Sequence, residues 1–368
     1  MTFTQPKFNV NFKELAVLAI QRQQRGDVVI ILDDSTNADI TAITYRGLAE
    51  VDEDDWTTAN YKRIMLAFLG NPSKVIVVKL DNSSGATFDD TLERLNLYSN
   101  YTLCMPTATS ANITAIKNYI KAQRQANNYS RAVVANATSP DAEYIINFAS
   151  SGAINANITG TAEDFTAADW TCRLAGALSG LAASRSLTYY ELPEVVSAPI
   201  SSTPDADVAA GKLIIIHQDG SYKFGRAVNS LVTLTDGVTE AFQKIRVLDI
   251  MDMIANDIVS TFRLYYVGKY INNFTNKNRF VGAINAYLKQ LGVEGYVEPE
   301  NDNEVAISYD KNKAYLEAKG VDTSNMTYIE ILKANTGSKV LLDGVCSPTD
   351  AMEDLDLGMY LFQALQAE

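Results

Sequence analysis

The sequence predicts an α/β protein: a three-layer α/β domain, then a smaller α+β domain, with a single apolar-faced strand at either end. Three observations carry this. From Gly26 to about Leu192, short Val/Ile-rich runs alternate with helical patterns, the signature of parallel strands joined by crossovers. From Gly211 to Leu291, a hairpin signal precedes two amphipathic helices. At residues 7–13 and 355–362, apolar and polar residues alternate, the period of a half-buried strand.

A chain of 368 residues exceeds one ordinary core, so several domains are expected. The pattern divides it into a 1–20 arm, a 21–195 α/β domain, a 196–350 α+β domain and a 351–368 arm. Hydrophobic residues at 47% and charged residues at 20% describe a soluble globular protein. A net charge of −13 argues against nucleic acid, which needs clustered Lys and Arg. Cys104, Cys172 and Cys346 are far apart with no CxxC, so free thiols in a reducing compartment are expected. Neither a signal peptide nor a membrane-length apolar run is read from the sequence.

In order, Val28–Leu32 is a continuous apolar run ending in Asp33-Asp34, as in a strand buried on both faces. Strands are expected at 74–80, 101–105 and 131–135, with helices at 56–69, 88–98 and 110–127. Residues 152–161 read as a Gly/Asn-rich excursion, and Ala167–Ala183 as a small-residue helix wedged against the sheet. Ser197–Pro204 is the best linker candidate. Asp219-Gly220, between an apolar strand over 213–217 and a second from Tyr222 to Val228, is a strong hairpin signal. The helices that follow carry Met251, Ile254, Ile258, Phe262 and Tyr265 on one face, then Phe280, Ile284, Tyr287, Leu288 and Leu291. A helix over 309–319 sets Lys311, Tyr315 and Lys319 on one face, and Val340–Leu342 reads as a strand.

An α/β domain invites an enzyme reading, with a Rossmann-like domain under a helical cap, but the chemistry is missing. Asp33-Asp34-Ser35 stands where a dinucleotide-binding glycine loop would. Asn335–Lys339 faintly resembles a phosphate loop but lacks its first glycine. The lone His217 sits in the hairpin strand, remote from every cysteine, so neither a Ser-His-Asp nor a Cys-His site is supported. Asp52–Asp55 lacks the spacing of a calcium loop. No catalytic residue, metal or cofactor is expected.

The terminal strands are the stronger clue. Phe8, Val10 and Phe12 share one side of the first; Leu355, Leu357, Met359 and Leu361 share one side of the last. Such strands either fold back on their own domain or join a foreign sheet edge, and free ones invite aggregation.

Seven segments in order resemble the contractile phage tail sheath family, of the short type found in myophages and phage-tail-like bacteriocins of Gram-positive bacteria. They are Asn9–Leu15, Ile145–Phe148, Arg173–Gly176, Ser186–Tyr189, Val228–Leu231, Thr336–Val340 and Asp350–Asp354, with Val232 departing from the usual threonine. The resemblance implies an α/β domain of subtilisin-like topology without a triad. It implies stacked hexameric rings around a tail tube, with both terminal strands donated to neighbouring subunits. Expected partners are further copies of the chain, the tube protein, and baseplate and terminator proteins. Location would be a virion tail, or tail-like particle, built in the host cytoplasm. A cellular contractile injection system is the companion reading. On this reading the Lys311, Tyr315 and Lys319 face is the candidate contact with an acidic tube.

Overall fold

In the structure, a computed structural model, the described residues are 20, 26–82 and 84–359. They divide into two compact units, residues 26–256 with 348–359, and residues 257–347.

In the larger unit, β1 (Asp27–Leu32) has five consecutive buried positions, which a strand covered on both faces satisfies. It pairs in parallel with β3 (Lys74–Lys79) and β4 (Tyr101–Cys104). β2 (Ala42–Tyr45) runs antiparallel on the far side of β3. β5 (Arg131–Ala135), β6 (Ile145–Phe148) and β10 (Lys212–Leu213) extend the other side in parallel. The seven-stranded order is β10-β6-β5-β4-β1-β3-β2.

The crossover helices begin at side-chain caps. The Thr57 hydroxyl accepts from Asn60 N at the start of α1 (Thr58–Phe68). α2 (Phe88–Arg94), α3 (Ser110–Gln125) and α4 (Ala167–Gly180) each open on a threonine capping box, which satisfies otherwise orphaned amides. Alternate residues of β1 feed two cores. Val28, Ile30 and Leu32 pack with Ile64 of α1 and Trp170 of α4, whereas Val29 and Ile31 pack with Leu92 of α2 and Ile116 of α3. Those are the three expected layers.

Departures from the expected elements have local causes. The 152–161 excursion is part of a small sheet, in which β7 (Ile154–Asn157) pairs with β8 (Ala162–Phe165) and β9 (Val195–Ser197). Ile154 and Ala156 are fully buried there, so two small apolar anchors outweigh weak strand propensity. The single strand expected over 213–217 is two: β10 joins the large sheet and β11 (Ile215–Gln218) forms a hairpin with β12 (Ser221–Phe224). Asp219 and Gly220 take φ of 53° and 76° at its tip, as a type I′ turn requires.

The division of the chain falls at 256/257 rather than 195/196. Beyond the supposed linker, α5 (Pro204–Ala209) leads into β10, so the chain re-enters the large sheet before leaving it. α6 (Ile245–Thr261) spans the division, and Phe262–Tyr266 continues as one π-helical turn instead of the expected α-helix. The buried positions of α6 include Ile250 and Met253; Met251, Ile254 and Ile258 are half-buried, a stripe rotated from the expected one.

In the smaller unit, α7 (Phe274–Val293) buries Phe280, Ile284, Tyr287, Leu288 and Leu291, as the spacing predicts. β13 (Glu304–Ile307) pairs antiparallel with β14 (Leu342–Val345), which begins at the last residue of the expected 340–342 strand. Between them lie α8 (Tyr309–Ala318) and α9 (Tyr328–Lys333). Among the described residues, no helix is long and apolar enough to cross a membrane.

Candidate assembly interface

Residues 349–354 are fastened to the rest of the larger unit by polar contacts across more than a hundred residues of sequence. Arg246 donates to Thr349 Oγ1 at 3.1 Å, and Lys244 pairs with Asp350. The Thr188 and Ser186 hydroxyls donate to Glu353 Oε1 at 2.6 and 3.3 Å. Arg226 reaches both Glu353, at 3.5 Å, and Asp354. Thr188 Oγ1 also accepts from Ala227 N at 2.9 Å, so one hydroxyl ties Glu353 to the segment after the hairpin.

Among the described residues, this set of anchoring contacts reaches as far as Asp354. Residues 355–359 adopt no regular secondary structure, and Leu355, Leu357 and Met359 are 88%, 69% and 85% exposed. Among the described residues, 355–359 of the expected strand pair with no sheet. Leu361, Phe8, Val10 and Phe12 lie outside the described residues.

The face of α8 is partly occupied. Lys311 pairs with Asp343 and donates to Leu342 O at 2.8 Å. Two ammonium groups lie over the Tyr315 ring, Lys319 at 6.0 Å and Lys339 at 5.6 Å from its centroid. Lys319 is exposed, and Lys339 is the cation that helical spacing could not reveal.

The enzyme alternative gains no constellation. Asp34 Oδ2 accepts from Thr57 N, Thr57 Oγ1 and Asn60 Nδ2 at 2.9, 3.0 and 2.7 Å, fastening α1 to the end of β1. Burial alone would raise its pKa, but these hydrogen bonds, Asn60's foremost, hold the carboxyl well below the usual range. Cys104 and Cys172 are buried with their sulfurs 3.7 Å apart. Burial, then the Cys172 contact, pushes the Cys104 thiol up, the reverse of what a nucleophile needs. His217 is exposed, with its ring tilted at 58° to that of Tyr222 and 4.7 Å from it. Among the described residues, no cluster of His, Cys, Asp or Glu is placed to hold a metal.

Segments that carry the family resemblance have structural work in this chain. Buried Ser230 donates to Ala142 O at 3.0 Å, and its amide donates to Ile145 O at 2.8 Å. Asn229 Nδ2 donates to Phe242 O at 2.6 Å. Arg173, 2% exposed, pairs with Glu194, and its guanidinium lies over the Tyr190 ring.

Comparison with known proteins agrees with this geometry. Residues 238–362 match the phage tail sheath C-terminal domain. The tail sheath protein of Clostridium phage phiCD119 is 34% identical over 362 residues, covering 95% of this chain and 97% of that one. The sheath tail protein of Desulfitobacterium hafniense superposes with a TM-score of 0.65 at 17% identity, over 82% of this chain and 93% of the other. The contracted helical sheath of the anti-feeding prophage gives 0.70 at 12% identity, over 98% and 99%. At such identities the solved structures share the fold, whereas the phage relative shares both sequence and extent, and the chain belongs to the phage tail sheath protein family.

Proposed function

We propose that this chain is the structural subunit of a contractile tail sheath, polymerising helically around a tail tube and contracting to drive it through a target cell envelope. One observation carries this: 34% identity to a tail sheath protein along nearly the whole of both chains. Head-to-tail contacts generate open helices rather than closed dimers. The proposed arms are the strands over 7–13 and 355–362, added to the sheets of neighbouring copies. Main-chain hydrogen bonds would supply affinity, and alternate side chains the register. The exposed Leu355, Leu357 and Met359 support the second arm.

The work comes from surface buried between subunits rather than from catalysis or a cofactor. A few hundred Å² of additional apolar burial corresponds to roughly 5–10 kcal/mol per subunit at 25 cal/mol per Å². Partners on this reading are further copies, the tube protein, and baseplate and terminator proteins, in a virion tail or tail-like particle assembled in the host cytoplasm. Lys311, Tyr315 and Lys319 are the proposed tube-facing set. Negative-stain microscopy of the purified chain tests the reading. Hollow cylinders of uniform width are expected; monodisperse particles that turn over a small molecule would overturn it.

A further inference from the structure

The smaller unit contains a cavity of about 510 Å³ walled by Phe262, Tyr266, Tyr270 and Phe280 and floored by Lys277. The rings form one cluster, with Phe262 and Tyr266 centred 5.1 and 4.6 Å from Phe280. Into this apolar enclosure the fold brings an ammonium group. Lys277 is only 3% exposed, its Nζ donates to Thr336 Oγ1 at 2.8 Å, and among the described residues it forms no ion pair. A buried cation held by a single neutral hydroxyl is costly, since its charge is compensated by no anion.

A second polar atom stands beside it. Asn272 Nδ2 is committed to Gly337 O and Lys339 O at 2.7 and 3.0 Å. That fixes which end of the amide faces the other way, and its Oδ1 is buried without a hydrogen-bond partner. Asn272 Nδ2 lies 3.4 Å from the same Thr336 hydroxyl that receives Lys277, so cation and acceptor converge on one corner of the cavity. Both residues line it.

We infer that this cavity binds the carboxylate, amide N–H and apolar side chain of an N-acyl α-amino acid, the group found at the carboxyl end of a peptide. The carboxylate would pair with Lys277, the N–H would donate to Asn272 Oδ1, and the side chain would pack against the aromatic wall. An α-carboxylate and an α-amide N–H are joined through one carbon, which suits a cation and an acceptor sharing Thr336. A simple fatty acid would leave Asn272 Oδ1 without a donor, and a plain amide would leave Lys277 without a counter-ion; both would forfeit affinity.

The test is calorimetric titration of the dispersed full-length chain with N-acetyl-L-phenylalanine, its primary amide and the tripeptide acetyl-Gly-Ala-Phe. The acid is expected to bind with a Kd of about 1 mM or tighter, its amide at least tenfold more weakly, and Lys277→Met to weaken the acid by a similar factor. A tripeptide several-fold tighter than the acid identifies a polypeptide end as the natural occupant; equal affinities identify a free N-acyl amino acid. Equal binding of acid and amide, or no binding of any of the three, overturns the assignment. The acid–amide comparison uses the unaltered protein, so it decides even if the variant folds poorly.

Discussion

At the scale of single residues, two buried charges set contrasting expectations. Arg173 and Glu194 compensate each other at 2% and 8% side-chain exposure. Arg173→Met should cost about 3–5 kcal/mol, because it strands the carboxylate, while Arg173→Met with Glu194→Met should recover most of that. Urea unfolding of the two variants checks the ordering. Lys277 is the opposite case, since burial lowers its pKa and, among the described residues, no anion offsets it. Its folded pKa lies below the unfolded value of 10.5, so the folded state binds fewer protons as pH approaches that value from below. Stability contributed at this site is therefore lowest near neutrality and rises as the pH climbs. Lys277→Met should raise stability at pH 7 by about 1–2 kcal/mol. That advantage should shrink by pH 9.5, before Tyr266, whose pKa burial raises, begins to titrate. Thermal unfolding of both proteins at the two pH values reads it; an advantage that grows with pH would refute the account. Neither residue's state was legible in sequence, because Arg173 and Lys277 look like ordinary helix-surface charges until their partners are placed.

At the scale of elements, α4 and α1 approach closely enough to exclude a side chain. A Cβ on Gly176 would lie 2.0 Å from the Ala67 carbonyl oxygen, backbone that cannot rotate away. Gly176→Ala should therefore destabilise by the upper end of the about 1–3 kcal/mol typical of overpacking, despite better helix propensity. Gly282 in α7 meets nothing within 4 Å, and Gly282→Ala should stabilise by up to about 1 kcal/mol. Opposite signs in denaturant midpoint are the check. The small-residue run at 173–180 made close packing of this helix readable from sequence. The hairpin at 154–165 was not readable, because its strand character comes from two side chains, Ile154 and Ala156, buried in the tertiary core rather than from local propensity.

At the scale of the whole molecule, the arms carry the assembly predictions. Truncation after Glu353 leaves every anchoring contact up to Glu353 in place but removes the exposed apolar residues beyond it. The shortened chain should stay folded and soluble with an unchanged unfolding midpoint, yet form no cylinders; normal cylinders by microscopy would sink the arm reading. Deleting Met1–Phe12 should behave alike. Because Lys311 is engaged by Asp343, reversing it would perturb its own fold, so Lys319→Glu is the cleaner probe of the tube face. Exposed pairs are worth under about 1 kcal/mol each and are screened by salt. Particles carrying Lys319→Glu should lose their tubes at lower salt than the unaltered protein, and equal tube retention across a salt series would remove this helix from the tube contact.

Patterning by itself determined the alternation of β1, β3, β4 and β5 with α1, α2 and α3, the small-residue helix α4, the Asp219-Gly220 turn, the buried face of α7 and the apolar alternation of residues 355–361. Each depends on neighbours a few residues away, where period and turn chemistry dominate. Tertiary structure alone decided where the chain divides, that β10 returns to the large sheet, that Arg226, Lys244 and Arg246 hold residues 349–354, and that Lys277 meets Asn272 at Thr336. Those pairings join residues that are about sixty to more than a hundred positions apart, and local sequence carries no signal for them.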